Sequence, residues 1–148
     1  MKPDGYLQQI EVEIKPRCDD GTLTTPNVFQ KWADLVEDLN EVGHNFSVTG
    51  KMKPQLAEAG FVDIVEHRYK LPVGPWSSDP MYQDLGRYYE MFWRTGCQGW
   101  LMAALTRDLG WTPSQVNETV EEAFKVIDAR EVHAYYEAVL MYARKPEE

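Results

Sequence analysis

The stretch MKPDGYLQQIEVEI, residues 1–14, decides how the rest of the chain reads. Lys2-Pro3-Asp4-Gly5 is a turn signal, since proline and glycine favour backbone conformations that regular elements avoid. Strand formers follow at once. From Tyr6 to Ile14 the chain sets Tyr6, Gln8, Ile10, Val12 and Ile14 against Leu7, Gln9, Glu11 and Glu13. A period of two describes a strand with one face buried and the other largely polar. Glu11 and Glu13 suit a face that tolerates water. The chain therefore opens as though entered partway through a fold, with no signal-peptide apolar segment at its start.

The whole sequence has 148 residues, room for one domain (residues 1–148) with one core. A hydrophobic share of 43% with 12% aromatics is that of a folding chain. The net charge of −9 repels a phosphate backbone and an anionic lipid surface, which argues against nucleic-acid or membrane partners. No apolar run is long enough to span a bilayer. Cys18 and Cys97 are too few and too far apart for a disulfide framework, so they read as free thiols of a cytoplasmic protein.

Beyond the first strand, Cys18-Asp19-Asp20-Gly21 is a turn or loop. Thr25-Pro26 starts a helix with Thr25 as N-cap. Val28, Trp32, Leu35, Val36, Leu39 and Val42 share one face of it, and Gly43 stops it. A short helical piece around Pro54 to Ala59 ends at Gly60, and Phe61 to Leu71 is a second strand. LPVGPWSSDP (71–80) is a loop, because its prolines cannot sit inside a strand ladder. Asp79-Pro80 opens a helical, aromatic stretch reaching about Leu109, where Gly96 and Gly99 are expected to break or kink it. Thr112-Pro113-Ser114-Gln115 has capping-box spacing. Ala134 to Arg144 is the last strand. The fold class is then α+β, derived from an α/β fold, with a small three-stranded mixed sheet and helices.

The segments KPDGYLQQIEVE, DDGTL, LAEAGFVDIVEHRYKLPVGPW, DPMYQDLGRYY, TRDLGWTPSQV and HAYYEAVLMYARKP come in this order. Together they resemble the C-terminal half of fungal class I methyltransferases, those of secondary metabolism and its regulators. The resemblance implies the last three strands of that fold, with a helical insert that caps the substrate. The family holds S-adenosylmethionine in its other half, through a glycine-rich turn after one strand and an acidic residue after the next. No G-x-G motif follows a strand here, and Gly96-Cys97-Gln98-Gly99 lies in a helical context. No cofactor-binding residue is assigned, and the chain is not expected to bind S-adenosylmethionine alone. The resemblance also leaves the outer edge of the first strand without its neighbour. An open edge needs cover, from a second copy of the chain, a partner methyltransferase chain or a rearranged helix; a homodimer through the first strand is the preferred expectation.

His44, His67 and His133 lack metal-site spacing, so no metal is expected. Candidate acid–base groups are His67 on the second strand, Glu13 at the end of the first and the Tyr89 hydroxyl. Each has a plainer reading as a solvated or packed residue. His133 reads as a structural hydrogen-bonding residue, and Asp19 and Asp20 as turn formers. Trp76, Tyr88, Phe92, Trp93 and Trp100 are the candidate lining of a site for a hydrophobic small molecule, such as a polyketide or terpenoid. Two functions follow. In one, the chain is a cofactor-independent cyclase or isomerase that orients a reactive intermediate. In the other, it is a non-catalytic subunit that completes or regulates a methyltransferase.

Overall fold

A computed structural model describes residues 1–24 and 26–147. In chain order the elements are β1 (Tyr6–Val12), α1 (Val28–Glu41), α2 (Thr49–Glu58), β2 (Val62–Pro72), α3 (Pro80–Asp108), α4 (Pro113–Ala129) and β3 (Tyr135–Arg144). The strands form one three-stranded sheet in the order β1-β3-β2. With the last strand in the centre, neighbouring strands run antiparallel, and β1 pairs with β3 from Tyr6 opposite Arg144 to Val12 opposite Ala138. The chain divides into two compact units, one of residues 1–13, 47–70 and 137–148, the other of residues 14–46 and 71–136.

The first unit is a sheet with one helix on it. The opening turn forms as read: the Gly5 N–H donates to the Lys2 carbonyl at 3.1 Å, and Asp4 takes a left-handed φ of 57°. Arg144 fastens this turn to the sheet, with Nη1 on Asp4 and Nε on Asp63, each at 2.7 Å. Val139, Met141 and Ala143 alternate along β3 and are buried against Met52 and Leu56 of α2, with Leu7, Phe61 and Ile64 around them.

That packing reverses the expected faces of β1. Leu7, Gln9 and Glu11 are half-buried, while Tyr6, Ile10 and Val12 are 64%, 59% and 37% exposed. The reason is register. Leu7, Gln9 and Glu11 lie opposite Ala143, Met141 and Val139, the buried row of β3, and residues paired across a ladder share a face. The more apolar row of β1 is therefore turned away from the core. The sequence alternation sets the period, but not which side receives α2.

The second unit is three helices around an aromatic core. The expected N-cap Thr25 lies outside the described residues; α1 begins at Val28, and Asn27 caps it by accepting from the Gln30 N–H at 3.0 Å. Val28, Phe29, Trp32, Leu35 and Leu39 are buried on one face. They meet Trp93, Cys97, Leu101 and Leu105 of α3 and Val116, Val120, Ala123 and Ile127 of α4. Spacings of three, four and seven place these residues on single stripes. Trp93 stacks on Trp32 with centroids 4.7 Å apart and meets Phe29 edge-on.

The break expected at Gly96 and Gly99 does not occur, and α3 is continuous over 29 residues. Trp100 covers Gly96 so closely that a Cβ there would lie 2.0 Å from the indole ring. Each glycine costs a helix interior about 1 kcal/mol, and the contact across Gly96, with burial of the Trp93 to Leu105 stripe, offsets it. At α4 the capping box is formed in both directions by Thr112 and Gln115.

Candidate functional site

The acid–base residues singled out from sequence fall in two different units. Glu13 and His67 belong to the sheet unit, and Tyr89 to the helical unit. Glu13 accepts from Arg68 Nη1 at 3.3 Å, and Arg68 also binds Glu66 and Glu137 at 2.8 and 2.9 Å. Glu137, then Glu66, hold the Arg68 guanidinium more firmly protonated than usual. This is an ion-pair network in which Glu13 is already engaged. His67 precedes Arg68 on the same strand, so its ring takes the opposite face, where it lies 6.0 Å from the Tyr142 ring. Burial pushes the Tyr89 hydroxyl up to about 12, with a smaller opposing pull from Trp93. At neutral pH that hydroxyl keeps its proton and can donate a hydrogen bond.

The aromatic candidates fall into three settings. Trp93 is fully engaged in the core, against Trp32, Phe29, Tyr89 and Tyr136. Tyr88, Phe92 and Trp100 form a solvent-facing ridge along α3, 69%, 51% and 48% exposed, with the Phe92 and Trp100 rings 4.6 Å apart. Trp76 is half-buried elsewhere in the helical unit. A depression of about 210 Å³ in that unit is lined by Lys31, Trp111, Gln115, Glu118, Thr119 and Glu122. It is polar, and below the ~300 Å³ at which drug-sized ligand sites begin.

The most ordered polar arrangement lies where the loop after β1 meets the start of β3. The strip 17–22 is stapled to 133–135. Arg17 and Tyr135 exchange backbone hydrogen bonds at 2.8 and 2.9 Å, and the Tyr135 hydroxyl donates to Asp19 at 2.8 Å. The Asp20 carboxylate accepts from the Thr22 N–H at 3.1 Å, the Thr22 hydroxyl at 2.8 Å and the Cys18 thiol at 2.9 Å. Its second oxygen bonds His133 Nδ1. The Cys18 and His133 bonds, then those from Thr22, hold the Asp20 carboxyl far below the usual carboxylate range. The His133 ring stacks on Trp76 at 5.0 Å, and the Trp76 indole N–H donates to the Ala134 carbonyl at 3.0 Å. Thr22 Oγ1 also accepts from the His133 backbone N–H at 2.8 Å.

Asp20 as a turn former is as read: its bonds to Thr22 are those of an Asx turn. Its pairing with His133 is missing from the sequence reading because 113 residues separate the two. No local spacing rule reaches that far. Among the described residues, no group of three or more His, Cys, Asp or Glu side chains is arranged to hold a metal ion, and no helix is long and apolar enough to cross a membrane.

The class I fold implies S-adenosylmethionine, and two glycines of α3 leave no room for such a ligand at their backbone. A cradle for it needs glycines that leave room for a ligand to approach the backbone. The space over Gly96 is filled by Trp100, and that over Gly86 by the Gly74 carbonyl, 2.2 Å from where a Cβ would stand. Gly99, with open space around it, lies within the continuous α3 rather than after a strand.

A three-stranded sheet with its last strand in the centre, and helices between strands, is a partial class I methyltransferase-like fold. The chain is similar over its full length to a secondary metabolism regulator, LAE1, of Cochliobolus heterostrophus, at 30% identity, and covers 49% of that protein. It is 32% identical to the protein-methionine methyltransferase laeA of Chaetomium globosum over 88% of the chain and 42% of the relative. It is 30% identical to methyltransferase pytC of Aspergillus terreus over 99% of the chain and 45% of the relative. The chain thus spans about half the length of the curated relatives it matches, and the pattern is that of a C-terminal fragment of such methyltransferase-family proteins. No family model and no solved structure matches it.

Proposed function

We propose that this chain is the substrate-side half of a methyltransferase-like protein of fungal secondary metabolism, and that it works docked against a cofactor-binding half. That half is carried either on the same polypeptide or on a separate one. The observation that carries the reading is the exposed row Tyr6, Ile10 and Val12 on an edge strand. An edge strand with an apolar face invites pairing with another strand, and the relatives are long enough to supply one. S-adenosylmethionine then belongs to the other half, and the bound substrate is a hydrophobic small molecule. Two free cysteines suit a cytoplasmic setting for the same reading.

A cofactor-independent cyclase or isomerase is the second reading, and the aromatic ridge Tyr88-Phe92-Trp100 favours it as a surface for an apolar molecule. It ranks lower because the aromatic residues it needs are divided between a closed core and a solvent-facing helix. A homodimer through β1 would cover the same edge.

Native mass spectrometry tests the choice. The chain is measured alone, then with the separately produced N-terminal half of the Cochliobolus relative, each with and without S-adenosylmethionine. A one-to-one complex that takes up the cofactor, from a chain that ignores it alone, is the expected result. A closed homodimer that refuses the added half overturns the reading, as does cofactor binding by the isolated chain.

A further inference from the structure

We propose that His133 is a proton acceptor for an acidic hydroxyl of the small molecule, and that Asp20 is its positioning residue. The inference rests on the substrate-side reading above and deepens it by naming the reacting group. Its geometry lies within the helical unit.

The tautomer follows from charge. Asp20 is held ionised by the donors around it and can only accept, so Nδ1 of His133 carries the ring proton. Nε2 is left with its lone pair, and no hydrogen bond occupies it among the described residues. The ring is one-third exposed. Its orientation is fixed three ways: by Asp20 at Nδ1, by the Trp76 face, and by Thr22 at the backbone N–H. The supports are themselves fixed, Trp76 by Ala134 and Asp20 by Thr22 and Cys18. Holding a loop against a strand needs less, since the Arg17 and Tyr135 backbone bonds already do so. A carboxylate behind one imidazole nitrogen and a bare second nitrogen is the arrangement of a general base.

In the step, the substrate O–H bond breaks, its proton moves to Nε2, and the electron pair stays on oxygen. The resulting imidazolium is stabilised by the Asp20 carboxylate at Nδ1. Basicity selects the hydroxyl. A phenol or comparable enol gives up its proton far more readily than a simple alcohol, whose conjugate base is much the stronger. Phenolic or enolic hydroxyls are within reach of this base, and aliphatic alcohols are not. The other titratable groups of the cluster are Asp19, Cys18 and Tyr135; Asp19 already accepts from the Tyr135 hydroxyl, and the Cys18 thiol donates to Asp20.

The test is nitrogen-15 NMR of the labelled chain near neutral pH, using 4-nitrophenol as the probe. The expected spectrum has His133 protonated at Nδ1 and bare at Nε2. Adding 4-nitrophenol shifts the Nε2 resonance toward the protonated value while phenolate absorbance rises. His133→Gln loses the rise in phenolate absorbance above that of free 4-nitrophenol at the same pH. Asp20→Asn mixes the two tautomers, and if that variant fails to fold the wild-type tautomer decides. An Nε2–H tautomer in the wild type, or an Nε2 resonance indifferent to the probe, overturns the inference. Failure of the half-with-half complex leaves these signals unchanged and sinks the substrate-side reading instead.

Discussion

The helical unit and the sheet unit bury their apolar residues in different ways. In the helical unit, Phe29, Trp32, Trp93, Leu105 and Val116 face one another from three helices, while Tyr88, Phe92 and Trp100 of α3 stay exposed on its other side. In the sheet unit, α2 covers one face through Met52 and Leu56, while Tyr6, Ile10, Val12 and Tyr69 stay exposed. The helical unit has a core closed by three helices, and the sheet unit has one helix on one face and an edge strand whose apolar row is exposed.

The largest effect should come from opening the closed core. Trp93→Ala removes the ring that four aromatic neighbours contact and should cost about 3–5 kcal/mol in denaturant unfolding. A loss under ~1 kcal/mol would mean that core is not closed.

Alkali should loosen the same unit. Burial raises the Tyr89 hydroxyl from 10.0 to about 12. A group whose folded pKa is raised keeps its proton when folded and releases it when unfolded, so its contribution is complete below pH 10 and fades as pH climbs toward 12. That is about 2–3 kcal/mol for Tyr89, and Tyr136, pushed higher by burial and by Tyr89, adds to it. Unfolding midpoints followed from pH 9 to 12 with wild type and Tyr89→Phe read it directly: the phenylalanine variant should lose less.

Two glycines of α3 sharpen the contrast between packed and open surface. At Gly86 a new Cβ meets the backbone of Gly74, which cannot swing aside, so Gly86→Ala should destabilise by about 1–3 kcal/mol. At Gly96 the obstacle is the outer part of the half-exposed Trp100 ring. That ring can rotate away, and alanine recovers up to ~1 kcal/mol of helix propensity. Gly96→Ala should therefore be neutral or slightly stabilising. Equal losses at both sites would show that Trp100 is fixed as firmly as backbone.

The smallest effect on stability is expected on the open face. Ile10→Lys should change unfolding of the chain alone by less than about 0.5 kcal/mol, yet abolish association with a cofactor-binding half.

Much of the fold was legible in the sequence for local reasons. The Lys2-Gly5 turn, the Asp79 cap and the Thr112-Gln115 box are set by residues within four positions of one another. That these are the last three strands of a larger sheet followed from resemblance rather than from periodicity, and their order in the sheet was not read. What could not be read depends on distant partners. Which face of β1 is buried depends on β3 and α2, and the run of α3 through Gly96 is supported by the Trp93 to Leu105 stripe packing on α1 and α4. The site was less legible still. Glu13 and Tyr89 are chemically apt residues whose surroundings commit them to an ion-pair network and to a hydrophobic core. The Asp20–His133 pair exists only because the loop after β1 lies against the start of β3.

Amide hydrogen exchange along β1 tests the central claim most directly. With the chain alone, the β1 amides that do not pair with β3 should exchange quickly. Adding the cofactor-binding half should protect them, while the amides of α3 and α4 that face the helical core stay slow in both states. If the outer amides of β1 are already protected in the isolated chain, or stay fast in the mixture, the edge is not the docking site and the account fails.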